Sequence, residues 1–263
     1  MSVDWTILGE TVDELGGSCD IGVSVISPRS ETWSRQGDVR FPSASTAKIP
    51  IMIEVYRMLD RGEIGLDDLH RLRACEKSRG SGVLRFLHAG LELSLADLLH
   101  LMMSISDNTA TNILIELAGM DRINATMQSL GMNASILGRP MVGRLAIEGE
   151  QENLATPDDY TRAVAAIVKG EAASTGACQA MLATLERQQN ARRIGRHVPT
   201  GGTYRWGSKT GTNAGIVNDV GFVAGPVGTM LIAVYCRGTE SEVAGEEIVA
   251  GIARTAMRAT GIV

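Results

Sequence analysis

At 263 residues, with 44% hydrophobic and 21% charged residues, the chain has the size and make-up of one large globular domain or two intimate subdomains. A net charge of −5 argues against a nucleic-acid or anionic-membrane partner, because either wants a basic face. No apolar run reaches the ~18–20 residues needed to span a bilayer. Cys19, Cys75, Cys178 and Cys236 are widely spread, show no metal-ligand spacing, and read as unpaired, mostly buried thiols.

The segment Met1 to Glu14 carries Asp4, Glu10, Asp13 and Glu14 and lacks the basic start and apolar stretch of an export signal. The expectation is a cytoplasmic protein, or an exported form whose signal has been removed. Residues 2–15 can form a helix with Trp5, Leu8, Val12 and Leu15 on one face. Asp20 to Ser27 alternates as a strand, Pro28-Arg29-Ser30 turns, and Glu31 to Arg35 reads as a return strand. Helical spacing begins at Ser45, runs through Ile49 to Asp60, and stops at Gly62. Further helices are predicted over Leu93–Ile105 and Ala110–Ala118, and from an Asp121 cap to near Gly131. Thr156-Pro157-Asp158-Asp159 supplies an N-cap, an N1 proline and an acidic first turn for a helix to Val168. Another helix covers about Thr175 to Gln188.

Strands return late, over Tyr204–Thr210, Ile216–Ala224 and Thr229–Arg237, before a closing helix from about Ser241 to Ala259. The economical fold is α+β. One antiparallel sheet is built from both chain ends and flanked by terminal helices, with an all-helical subdomain inserted. The expected division puts residues 1–40 and 190–263 in the α/β part and 41–189 in the helical part. A cleft between them is the expected site.

Three short strings carry chemistry, each occurring once: Ser45-Thr46-Ala47-Lys48, Ser106-Asp107-Asn108 and Lys209-Thr210-Gly211. If Ser45 opens a helix, Lys48 lies one turn away on the same face. The helix start then offers free N–H groups near the hydroxyl. Lys48 can take the serine proton only when neutral. Bringing its amine from ~10.4 to ~7 costs roughly 4–5 kcal/mol, which burial and a neighbouring cation can supply. Ser106 can relay a proton to the leaving group, while Asn108 offers an amide to Lys48 or to substrate. Lys209, at a strand end, supplies positive potential for a substrate carboxylate. Gly211 lets backbone approach closely. The backbone N–H groups of Ser45 and Thr212 would form the oxyanion hole.

Each string has an ordinary alternative: a helix cap, a polar turn and a basic turn. A phosphate loop through Gly202 and Gly207 fails because Ser208 separates Gly207 from Lys209. His70, His88, His100 and His197 sit in no catalytic motif and read as surface or packing residues. Together the strings supply a nucleophile, a base, a second hydroxyl and a second cation. That is a kit for acyl transfer without histidine or metal.

The stretch Arg40 to Pro50 resembles the active-site region of class A β-lactamases. So do Gly80-Ser81-Gly82-Val83-Leu84, Met103 to Asn112, Lys209-Thr210-Gly211-Thr212 and Asn218-Asp219-Val220-Gly221. The resemblance covers most of the chain. It implies the same α+β fold, Ser45 as nucleophile, Lys48 and Ser106 as proton-transfer groups, and Lys209 and Thr210 as carboxylate binders. It also implies a monomer without cofactor that acts on a small-molecule β-lactam or a related amide or ester.

One departure stands out. The family carries an Arg-x-Glu-x-x-Leu-Asn pattern before the Thr156-Pro157 helix, and its glutamate activates the water that releases the acyl-enzyme. This chain reads Arg139-Pro140-Met141-Val142-Gly143-Arg144-Leu145. Met141 takes the glutamate's place and Leu145 the asparagine's, while Arg139 is present to pair with Glu152. Glu148, Glu150 and Glu152 are later carboxylates of the same loop that could serve as a deacylation base. Three functions remain open: a β-lactamase-like hydrolase, an intracellular amidase, esterase or D-peptidase with the same machinery, and a sensor that stays acylated.

Overall fold

The structure, a computed structural model, describes residues 2–17 and 19–263. In chain order it contains α1 (Thr6–Gly16), β1 (Asp20–Ile26), β2 (Thr32–Arg35), β3 (Phe41–Pro42), α2 (Lys48–Asp60), β4 (Leu69–Arg71), β5 (Glu92–Ser94), α3 (Leu95–Ser104), α4 (Asn108–Ala118) and α5 (Met120–Ser129). These are followed by β6 (Leu154–Ala155), α6 (Pro157–Lys169), α7 (Thr175–Leu185), β7 (Arg205–Asn213), β8 (Ile216–Gly225), β9 (Gly228–Arg237) and α8 (Glu242–Ala259).

The main sheet has five strands in the order β2-β1-β9-β8-β7. All its pairings are antiparallel. The chain ends meet in its middle, where β1 lies on β9 with Val23 opposite Val234. Alternation along the strands then assigns the two faces. Val23, Val25, Ile232 and Val234 join Leu8 and Val12 of α1 and Val249, Ile252 and Ala256 of α8. Val220, Phe222, Ala233 and Tyr235 point the other way, into a core shared with α2 to α7. Each such aliphatic side chain taken from water contributes about 1.5–3 kcal/mol, and the two cores fix the sheet from both sides.

Local signals set the helix starts. Thr156 caps α6 by accepting from Asp159 N–H, with Pro157 at the first helical position. Ser94 and Asp97 form a reciprocal capping box on α3. Several expectations need correction. Asp121 does not cap α5; Gly119 precedes it, and Asp121 lies in the first turn. Only Cys178 and Cys236 are buried, whereas Cys19 is half-buried and Cys75 exposed. The small pairings β3–β6 and β4–β5 were not read from the sequence, because strands this short carry no measurable alternation. Among the described residues, no helix is long and apolar enough to cross a membrane.

Candidate active site

Ser45 does not open the α-helix itself. It lies in a 3₁₀ turn, Ala44–Ala47, that runs into α2 at Lys48. Side chains three apart eclipse one another in a 3₁₀ turn, so Ser45 and Lys48 align better than an α-turn would align them. Lys48 Nζ lies 3.0 Å from Ser45 Oγ and donates to Ser106 Oγ at 2.9 Å, to Ser106 carbonyl oxygen at 2.8 Å and to Asn108 Oδ1 at 2.8 Å. The lysine is fully buried. Burial pushes its amine well below the usual lysine range, and the nearby Lys209 charge pushes the same way, against a weaker pull from Asp107.

The Ser106-Asp107-Asn108 turn is shaped to make those contacts. Ser106 has φ 60°, a left-handed conformation that costs a residue with a Cβ on the order of 1–3 kcal/mol. The bend aims both its hydroxyl and its carbonyl at Lys48. Asp107 caps α4 through Ala110 N–H and accepts from Val83 and Leu84 N–H as well. It therefore ties the 80–84 segment to the turn. Asn108 spans the gap, its Oδ1 on Lys48 and its Nδ2 donating to Arg79 carbonyl oxygen at 2.9 Å.

β7 closes the opposite wall. A Cβ at Gly211 would fall 2.8 Å from Ser43 carbonyl oxygen and 3.1 Å from Ser45 amide nitrogen. Glycine is what lets this edge strand lie on the Ser45 turn, with Thr212 next along it. Lys209 is fully buried and donates to Thr210 carbonyl oxygen at 2.9 Å. Burial lowers its amine to about 7; Asp219 opposes this and Arg193 adds to it.

Arg193 is a residue that sequence reading missed. It is fully buried, and its Nη1 donates to the carbonyl oxygens of Gly211 (3.1 Å) and Asn218 (2.8 Å). Its Nη2 donates to Thr212 Oγ1 at 2.7 Å and to Glu242 Oε1 at 3.0 Å. Nothing local in Arg192-Arg193 marks either arginine as interior; only the fold brings the second beneath β7.

Two cavities meet at Ser45. One, of about 490 Å³, is lined by Ser45, Ser106, Gln188, Thr210, Thr212 and Glu242, among others. The other, of about 230 Å³, is bounded by Ser45, Asn108, Met141, Gly143, Glu152 and Thr212, among others. The 139–153 loop forms its wall. Met141 is held through its backbone: its N–H donates to Asn112 Oδ1, and its carbonyl oxygen accepts from Asn112 Nδ2 and Ser78 Oγ. The Met141 side chain is only 7% exposed and belongs to the helical core.

The loop carboxylates are engaged elsewhere. Glu152 accepts from Arg139 Nη2 and from the N–H groups of Ala146 and Asn153. Glu150 binds Arg144 through both oxygens, and that contact holds its carboxyl down to about 2. Glu148 is exposed. The loop crosses the 80–84 segment at two left-handed glycines. A Cβ at Gly80 would lie 2.8 Å from Gly143 Cα, and one at Gly143 would lie 2.7 Å from Gly80 Cα. The histidines lie apart from this cluster: His70 pairs with Glu76 at 3.0 Å, and His88, His100 and His197 are exposed. Among the described residues no cluster of metal-ligating side chains occurs.

Buried Lys48 and the partly exposed Ser45 and Ser106 form a compact Ser-Lys-Ser cluster beside a sheet edge, and comparison with known proteins identifies the family. The chain belongs to the beta-lactamase enzyme family, whose sequence pattern matches residues 8–260; the family comprises hydrolases of carbon–nitrogen bonds. It is similar to the β-lactamase of Sphaerobacter thermophilus DSM 20745, with 50% identity and a TM-score of 0.97 over 100% of this chain and 99% of that one. The structure of PBP-A shares the fold, with a TM-score of 0.88 at 22% identity over 100% of both chains. The β-lactamase BRO-1 of Moraxella catarrhalis is 23% identical over 197 residues, or 74% of this chain and 62% of that protein. A β-lactamase of Bacteroides uniformis is 26% identical over 162 residues, or 59% and 55%. The chain thus spans somewhat over half the length of these two curated relatives.

Proposed function

We propose that the protein is a serine hydrolase that opens the amide of a β-lactam through a Ser45 acyl-enzyme, and that it releases the acyl group slowly. The observation that carries the reading is Lys48 Nζ, buried and depressed in basicity, within 3.0 Å of Ser45 Oγ and 2.9 Å of Ser106 Oγ. Neutral Lys48 takes the Ser45 proton as Oγ bonds to the lactam carbonyl carbon. The resulting oxyanion sits between the N–H groups of Ser45 and Thr212. The C–N bond then breaks, and the departing nitrogen receives a proton from Lys48 through the Ser106 hydroxyl. Lys209, Thr210 and Thr212 give the substrate carboxylate its binding end, with Arg193 behind them. The lobes 1–40 with 190–263 and 41–189 are taken as the two sides of this cleft.

Release needs a water activated on the loop side. Met141 offers no proton acceptor there, and the hydrogen bonds of Glu150 and Glu152 to arginines leave both poorly suited to serve as bases. A missing general base is worth about 10²–10⁴ in rate. A second reading follows from the same observation: Lys48 and Ser106 serve both half-reactions on an amide, ester or D-peptide whose acyl group leaves more easily.

The test is intact-protein mass spectrometry over time after mixing with excess benzylpenicillin, with Ser45→Ala alongside. A Ser45-dependent adduct that persists for minutes is expected. An adduct gone within seconds while product accumulates would refute slow release. No adduct and no product would refute the β-lactam reading and leave the second.

A further inference from the structure

The wall of the larger cavity carries a charge that the proposed chemistry does not use. Glu242, the first residue of α8, lines that cavity together with Ser45, Thr210 and Thr212. Its Oε1 accepts from Arg193 Nη2 at 3.0 Å and lies 3.4 Å from Thr212 Oγ1. Arg193 faces a second carboxylate as well: Glu246, 4% exposed, lies 3.5 Å from Arg193 Nε. Glu246 is also approached by Arg192 at 3.6 Å and accepts from Asn190 Nδ2 at 3.0 Å. The guanidinium under the carboxylate-binding end is thus neutralised from within the protein.

That arrangement matters for any acyl donor with a carboxylate placed at Thr212. Such a substrate must approach a resident anion that already holds the same hydroxyl and the same arginine. Like charges brought this close repel, and the effect grows as water is squeezed from the cavity. An acyl donor with an ester, amide or amine at that end meets no such penalty. Glu242 is itself favoured where it stands, since a carboxylate in the first turn of a helix interacts well with the free N–H groups there.

We propose that Glu242 is a specificity-determining residue that disfavours a substrate carboxylate beside Thr212 and turns the site toward acyl donors without one. The proposal rests on the Ser45 acyl-enzyme reading. Its test uses two probes that differ in that group alone, benzylpenicillin and benzylpenicillin methyl ester. The second-order constant for Ser45 adduct formation is measured by mass spectrometry with the wild-type protein and with Glu242→Gln. The side chain is 55% exposed, and glutamine keeps its shape, so folding is preserved.

The expected result is a ratio of acid to ester constants that rises by about tenfold or more in Glu242→Gln, with Glu242→Ala moving it the same way. A ratio that is unchanged or falls overturns the proposal while leaving the acyl-enzyme reading intact. Failure of both probes to label Ser45 in wild type and variant removes that reading, and this inference with it.

Discussion

The two sides of Ser45 are built to different standards. On the Lys48 side, one buried amine lies within hydrogen-bonding distance of two hydroxyls, a carbonyl and an amide, all between 2.8 and 3.0 Å. On the loop side, position 141 carries a methionine packed into the core, and two of the loop carboxylates are bound to arginines. In the proposed mechanism, forming an acyl-enzyme and breaking it are therefore separable problems. The first draws on groups held by α2, α4 and β7. The second depends on a loop whose polar groups mainly hold the loop itself.

The sharpest way to break the Lys48 side is Lys48→Gln. It keeps an N–H donor, on a side chain one bond shorter, but removes the proton acceptor. Acylation should fall by about 10²–10⁴-fold, read as the rate of Ser45 adduct formation; a drop of less than threefold would remove Lys48 from the mechanism. Next in size is a change that repairs the other side. Met141→Glu should shorten the lifetime of the penicilloyl adduct by about 10²-fold while altering its formation far less. An unchanged lifetime would mean that the loop backbone does not present position 141 to the ester.

The smallest expected effect concerns pH. Lys209 titrates at about 7, so its charge, and its pull on a substrate carboxylate, is lost as pH rises through that value. Lys48 acts on both probes alike, so the ratio of adduct-formation constants for benzylpenicillin and its methyl ester should fall by about tenfold between pH 6 and 9, the order expected for one charge at a partly desolvated distance. The stability linkage has the opposite slope. Lys209 titrates near 7 in the folded chain and near 10.5 when unfolded, so the unfolded state binds the extra proton between those values. Its contribution to stability therefore rises with pH across that window. Urea midpoints at pH 7 and 9 would check the sign, with Lys209→Met expected to show a smaller rise and to keep only the share of buried Lys48, whose amine is lowered in the same direction.

Much of the fold was legible because its elements are long and well punctuated. Thr156-Pro157 and the Gly119 and Gly131 stops announce themselves, and Gly-, Asn- or Pro-containing turns set off the three late strands. The helix start at Ser45 was misread because the difference between a 3₁₀ and an α turn lies in backbone detail over four residues, which no side-chain pattern records. The site was legible where its residues cluster in short strings, as in Ser45 to Lys48 and Ser106 to Asn108. It was illegible at Arg193 and Glu242. Both are polar residues in unremarkable surroundings, 49 positions apart, and only sheet pairing and the seating of α8 bring them to Thr212.

The crossing of Gly80 and Gly143 has a consequence for anyone who would redesign the loop. Each glycine occupies the space that a methyl group on the other would need, so neither can change alone without parting the two chains. A library that randomised residues 139–145 would return glycine at position 143 whatever was selected elsewhere. A graft aimed at importing a water-activating carboxylate must therefore leave Gly143 in place. The loop's capacity to acquire a new chemistry is set by a contact between two residues that have no side chains.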